Sequence, residues 1–241
     1  MEMRTAHIVG LPFVQQDGRI LAPHERLEIW RSTGQSDNTD ISGNWQIVGP
    51  VLFPVNVSGQ IHGIGRVCQI KFNPGNSQNI YAASASGGLW ISTNGGDYWQ
   101  LAGTDNMPNT ALASVCIDYT DENILFIGTG DPNYYSSSQG IWKSTDGGNK
   151  WFPSHGSIST RMAVEILMSP ADHNVLIAAT NDGIWKAIDG GTNWAAKKPG
   201  GNFTEMLFKP ETNTNTIYAV TFSEFYRSTD MGETWSNVTI P

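Results

Sequence analysis

Charge is scarce in this chain: only 15% of its 241 residues are Asp, Glu, Lys or Arg. Basic residues are scarcer still, 14 Lys and Arg against 22 Asp and Glu, for a net charge of -8. A phosphate backbone is held by clustered cations, so this balance argues against nucleic acid as a partner. The two cysteines, Cys68 and Cys116, are too few for a disulfide framework or for a zinc site of their own, and packed thiols are expected. No run approaches the ~20 apolar residues needed to cross a bilayer, so no transmembrane segment is expected. The opening Met1-Glu2-Met3-Arg4, followed by a short apolar patch broken at Pro12, makes a poor signal peptide. His7, His24, His62, His155 and His173 show no ligand spacing, and His24-Glu25 lacks the second histidine of a zinc protease. Gly63-Ile64-Gly65 and Gly128-Thr129-Gly130 lack the third glycine and the helix of a dinucleotide site. No metal and no cofactor are therefore expected.

What is abundant is glycine (26) and tryptophan (9), the composition of a turn-rich, aromatic-packed β protein. Both types fall in a repeat, S-x-[DN]-x-G-x-x-W, present four times. The first copy places Ser92, Asn94, Gly96 and Trp99 at its fixed positions, and the second Ser144, Asp146, Gly148 and Trp151. The third has Asp189, Gly191 and Trp194, with Ala187 in place of serine; the fourth has Ser228, Asp230, Gly232 and Trp235. The spacings of 52, 43 and 41 residues suit a four-stranded unit.

Each copy ends the same local script. In the first unit Val67 to Phe72 is an apolar stretch, Asn73-Pro74-Gly75-Asn76 a turn, Ile80 to Ala83 a second strand, and Leu89 to Ile91 a third running into the repeat. The alternation of Ile70 and Phe72 recurs as Ile117 and Tyr119, Ile166 and Met168, and Met206 and Phe208. The repeat fits a hairpin between the third and fourth strands. Its Asp or Asn can accept backbone N–H groups within the turn, its glycine tolerates φ > 0, and its indole covers the apolar surface beside it. Its Asp is therefore read as scaffold rather than catalyst. Units of this kind cannot bury both sheet faces alone and must stack, so the expected fold is an all-β propeller of four-stranded blades. The expected divisions are an N-terminal extension and linker over 1–42, a closing strand and lead-in over 43–64, and blades over 65–103, 111–154, 161–197 and 202–241.

The four copies resemble the Asp-box, or BNR, repeats of sialidases, xyloglucanase-type glycoside hydrolases and the sortilin-type receptor propeller. Gly43 to Pro50, Gly65-Arg66-Val67, Ala85 to Trp90 and Gly128-Thr129-Gly130-Asp131 are similar to segments of large secreted bacterial BNR-repeat proteins, many exported by the type IX system. The resemblance covers residues 43 to 241 and implies a secreted or cell-surface location. Trp45 to Val48 is similar to the strand that closes such rings, yet Trp235 to Ile240 gives the fourth blade a strand of its own. The expectation is a propeller with further blades, a self-contained four-bladed ring being the alternative. Pro23 to Arg31 reads as a short helix.

In propellers the loops joining the second to the third strand, and the fourth to the next blade, share one face, the usual ligand entrance. On that face the second blade carries the long loop Gly130 to Gly140, where Asp131, Tyr134 and Tyr135 offer a carboxylate and two rings for a glycan or polypeptide. Arg66 and Arg161, just before the first strands of blades one and three, are candidates for an anionic group, or for bonding loop carbonyls. Two such arginines do not make the triad of a sialidase. A glycosidase needs two carboxylates flanking one bond. In xyloglucanase-type enzymes a catalytic Asp belongs to the segment resembling Ala83 to Gly88, where Ala85 stands here. Asp105, Asp131 and Glu205 are the remaining acids considered, and nothing in the sequence pairs them. The expected function is a non-catalytic binding or interaction module with no catalytic residues; the alternative is a fragment of a glycoside hydrolase whose carboxylates lie partly outside this chain.

Overall fold

Short apolar runs closed by Gly-, Asn- or Pro-bearing turns give sixteen strands and no α-helix in the computed structural model, which describes residues 66–73, 75–133, 138–154, 156–210 and 215–239. The strands form four separate four-stranded antiparallel sheets, the blades of a β-propeller. Blade one holds β1 (Val67–Asn73), β2 (Asn76–Ser84), β3 (Gly88–Ser92) and β4 (Gln100–Leu101). Blade two holds β5 (Leu112–Ile117), β6 (Leu125–Thr129), β7 (Ile141–Ser144) and β8 (Phe152–Pro153). Blade three holds β9 (Ala163–Met168), β10 (Leu176–Thr180), β11 (Gly183–Ala187) and β12 (Ala195–Pro199), and blade four β13 (Phe203–Phe208), β14 (Ile217–Thr221), β15 (Phe225–Ser228) and β16 (Ser236–Asn237). The outermost strands of blades one, two and four have two residues each, and that of blade three has five. In blade four the expected strand from Trp235 reduces to the two residues of β16, continued by Val238 N–H donating to the Phe225 carbonyl at 2.7 Å.

The apolar faces of adjacent blades make the core. Tyr81, Ala83 and Leu89 of blade one pack on Leu112, Val115, Ile117, Leu125 and Ile127 of blade two. Cys116, Phe126 and Ile141 meet Ile166, Met168, Leu176 and Ala178 of blade three. Val164, Ile177, Ala179 and Ile184 then meet Phe203, Met206, Ile217 and Ala219 of blade four. Burying one such Leu, Ile or Phe side chain contributes about 1.5–3 kcal/mol. Both thiols are free; Cys116 is buried in this packing, which pushes its pKa up to about 12, and Cys68 is half-buried.

The two end faces lack such cover. Ile70 and Phe72 occupy the places of Val115 and Ile117, yet they are 52% and 58% exposed. At the other end Tyr218, Val220 and Phe225 are only half-buried, whereas Ile177, Ala179 and Ile184 in the same places of blade three are fully buried. Among the described residues no apolar cluster joins blade four to blade one.

Each eight-residue repeat is the hairpin between the third and fourth strands of its blade. In blade two Ser144 Oγ accepts from the Gly148 N–H at 2.8 Å and donates to Asp146 Oδ1 at 2.9 Å, and Asp146 Oδ1 accepts from the Lys150 N–H at 2.8 Å. Ser92 with Asn94, and Ser228 with Asp230, repeat this geometry. Blade three, with Ala187, keeps the carboxylate half: Asp189 accepts from the Thr192 and Asn193 N–H groups. The fourth and fifth residues are both left-handed, as in Gly147 (φ 69°) and Gly148 (φ 90°), which explains the second glycine in three copies. In the fourth copy Met231 takes that conformation with φ 57°.

These turns set an acid limit on the fold. Burial at Asp230 works against its charge, but the Thr234 hydroxyl and N–H and the Ser228 hydroxyl outweigh it and lower the pKa from 3.8 to about 2. A carboxyl depressed in the fold stabilises above its unfolded pKa and loses that contribution as pH falls through the folded value. Backbone hydrogen bonds from Lys150 and Asn193 shift Asp146 and Asp189 in the same direction. Urea unfolding of the wild type should therefore show stability falling between pH 3.8 and about 2, and Asp230→Asn should show a shallower fall over that window; parallel slopes would refute the assignment.

Candidate functional site

A shared irregularity at the start of the innermost strands positions the polar groups near the axis. In all four blades one extra residue, Cys68, Ala113, Val164 or Thr204, interrupts the pairing of the first strand with the second. Such a bulge re-aims the residue after it, here Gln69, Ser114, Glu165 and Glu205. Gln69 Oε1 accepts from the Val115 N–H at 2.7 Å, and Ser114 Oγ donates to the Ala163 carbonyl at 2.6 Å, so each ties its blade to the next. Glu165 reaches back across blade two. Its Oε2 accepts from Gln69 Nε2 at 2.5 Å, and its Oε1 lies 2.9 Å from Lys71 Nζ, an ion pair off the line of a good hydrogen bond. Only 5% of Glu165 is exposed, and burial raises its pKa against the pull of Lys71 and Gln69. Below this cluster the four inner strands line a pocket of about 160 Å³, with Phe72, Ile117, Met168 and Phe208 among its walls.

On the entrance face the structure brings two sequence-predicted residues together: Arg66 forms a salt bridge with Asp131, from blade one to the long loop of blade two. Tyr134 and Tyr135, on the same loop, lie outside the described residues. Arg161 is held within blade three, its Nε 2.9 Å from Asp182 Oδ2, one Nη on the Ser157 carbonyl, and its guanidinium 4.7 Å above the Trp185 ring. Asp182 and Trp185 escaped the sequence reading because the loop carrying Asp182 is two residues long and shows no composition signal. Phe222, in the corresponding loop of blade four, is 86% exposed and was likewise missed. Of the remaining acids, Asp105 is exposed in a 3-10 turn (Thr104–Asn106), and Glu205 is exposed on β13. Ala85 is buried in the loop after β2. Among the described residues no helix is long and apolar enough to cross a membrane, and no three His, Cys, Asp or Glu side chains group as metal ligands would.

No protein-family model and no curated protein sequence matches the chain. Solved structures do. An ancestral GH74 enzyme is 24% identical with a TM-score of 0.61, over 73% of this chain and 24% of its own. The GH74 xyloglucanase of Xanthomonas campestris is 17% identical with a TM-score of 0.55, over 70% and 29%. An auxiliary nutrient binding protein of Bacteroides thetaiotaomicron is 12% identical with a TM-score of 0.54, over 73% and 42%. At these identities the likeness is one of fold, shared by enzymes and binding proteins alike. The chain spans between about a quarter and two fifths of the length of these structures.

Removing the ammonium leaves a buried carboxylate without its counter-charge, so Lys71→Met should cost about 2–3 kcal/mol near neutral pH, while Glu165→Gln should cost less than about 1 kcal/mol. Glu165 has a raised pKa, so its protonated form is the one the fold favours and the penalty in Lys71→Met grows as pH rises through that value. Urea denaturation of both variants at pH 4 and pH 7 checks this; equal losses at both pH values would contradict it.

Proposed function

We propose that the chain is a non-catalytic binding propeller of an exported or cell-surface protein, holding a glycan or polypeptide on its entrance face. The observation that carries this reading is the state of the entrance-face carboxylates. Asp131 is tied to Arg66 and Asp182 to Arg161, and Ala85 stands where the resembled xyloglucanase-type enzymes carry an acid. A glycosidase needs two carboxyls placed either side of the scissile bond, and Asp131 and Asp182 are both engaged by guanidinium groups instead. What the described part of the face offers instead is the exposed ring of Phe222, to which the long loop adds Tyr134 and Tyr135 by sequence. Rings stack against sugar faces or apolar side chains while the polar rim fixes orientation. The Asp-box repeats serve as scaffold for these loops, and their resemblance to repeats of secreted bacterial proteins is the ground for an exported or cell-surface setting.

A glycan and peptide binding screen, run with a reducing-sugar assay on xyloglucan, tests the reading. Saturable binding should weaken at least about tenfold, the effect of losing one stacked aromatic, in Phe222→Ala or in the double variant Tyr134→Ala, Tyr135→Ala. The unfolding temperature should stay unchanged, because Phe222 packs on little, and no sugar should be released. Xyloglucan cleavage by the wild type would move the chain to the glycoside hydrolases.

A further inference from the structure

The stacked repeats allow one blade interface to be compared with the next, and the comparison exposes a site on the side of the propeller away from the entrance loops. The last residue but one of the third strand is Ile91, Lys143, Lys186 or Arg227 in blades one to four. In the first three blades this side chain points at the repeat loop of the following blade. Ile91 packs against Gly148 of blade two, an apolar contact. Lys186 Nζ lies 2.7 Å from Glu233 Oε1 of blade four, and Lys197 Nζ lies 2.6 Å from Glu233 Oε2. The blade three to blade four interface thus carries a carboxylate clamped between two ammonium groups, which hold Glu233 below the usual carboxylate range.

At the interface of blades two and three the lysine is kept and the carboxylate is not. Thr192 stands where Glu233 stands, directly after the second glycine of the repeat, and Ser154 stands where Lys197 stands. The space so released is a cleft of about 300 Å³ lined by Lys143, Thr145, Phe152, Ser154, Gly190 and Thr192. Lys143 Nζ donates to the Gly190 carbonyl at 3.1 Å and sits 5.1 Å from the centre of the Phe126 ring, so its position is fixed without any acid among its described partners. The carboxylates of Asp146 and Asp189 are turned into their own hairpins and do not compete for it. Phe152, at the wall of the cleft, is 58% exposed, where the corresponding residue of blade three is Ala195.

We propose that this cleft binds a hexuronic acid residue, with the sugar carboxylate on Lys143 in the position that Glu233 takes on Lys186 one blade further on. A carboxylate is the group this lysine position receives in the one interface where the chain supplies it. The sugar follows from the remaining walls. The ring of Phe152 matches the apolar face of a pyranose, and the Ser154 and Thr192 hydroxyls, which donate to the Gly191 and Asp189 carbonyls at 2.7 and 3.2 Å, keep lone pairs that accept from sugar hydroxyls, with Thr145 beside them. A volume of about 300 Å³ is at the small end of ligand pockets and suits a single ring. An acidic peptide side chain would use the ammonium and leave the aromatic wall without a role. The net charge of -8 opposes anions at a distance, so binding depends on the local ammonium rather than on the overall field. The site is independent of the entrance-face reading, and either can fail without the other.

Isothermal titration of the whole chain with methyl glucuronide, methyl glucoside and N-acetylglutamate amide tests the proposal. The expected result is saturable binding of the glucuronide, at least about tenfold weaker binding of the other two, and a similar loss in Lys143→Met, which removes one charge-assisted hydrogen bond. Thr192→Glu is the second variant: it restores internally the carboxylate seen at Glu233, and should abolish glucuronide binding while raising the unfolding temperature. Equal binding of the glucoside would overturn the carboxylate contact, and equal binding of the glutamate derivative would overturn the sugar. Absence of glucuronide binding, or binding that persists in Lys143→Met, would overturn the site.

Discussion

Everything in this molecule depends on one contact repeated between unlike partners: the rear face of a blade seated on the front face of the next. A four-stranded sheet of this width has two apolar faces and no means of covering either alone. Ile166 and Met168 are buried because Cys116 and Phe126 lie in front of them. Ile70 and Phe72, the same positions two blades earlier, are exposed because nothing described lies in front of them. Identical sequence logic thus gives opposite burial, and the cause is the presence of a neighbour rather than any property of the strand. Stability in such an array is a sum over interfaces, so the hairpins, the axis and the loops all depend on how many faces are matched.

Polar groups ride on this packing and take their meaning from it. The bulge in each inner strand re-aims one residue, and the chain fills that place with Gln69, Ser114, Glu165 and Glu205. Ser114 and Gln69 satisfy backbone groups of the next blade and leave little else to explain. Glu165 is different in kind, since a carboxylate that is 95% removed from solvent is retained only with its counter-charges in place. Lys71 supplies the charge and Gln69 a hydrogen bond from two blades away, which makes the cluster a brace across the axis rather than a link between neighbours.

Much of the fold was legible because the repeat encodes it twice, in the turn chemistry of Ser144 or Asp146 and in the alternation that precedes each copy. The strand of blade four that reads from Trp235 was overestimated, since Ser236, Asn237 and Val238 satisfy only a few bonds of β15 before pairing ends. The bulges were invisible, because a single extra residue in an apolar run alters no local composition. The candidate site was legible in part. Arg66 and Asp131 were singled out separately, and their pairing across blades needed the register of the sheets. Asp182, Trp185 and Phe222 belong to short loops whose residue types are ordinary, and only their placement on one face gives them interest.

Positions that differ between repeats carry the information that the repeats themselves cannot. A residue shared by all copies, such as the tryptophan closing each hairpin, answers to the demands of the blade and is silent about ligands. Lys143 and Lys186 show the opposite case. Their backbones are equivalent and their side chains alike, but one meets Glu233 and the other a cleft walled by Thr192 and Ser154. Had the lysine served only to bind the next blade, loss of its carboxylate partner would be expected to accompany its replacement, as Ile91 replaces it where the contact is apolar. An ammonium kept in place by a carbonyl and a ring, opposite the space that a carboxylate fills next door, is an arrangement that interface stability alone does not require.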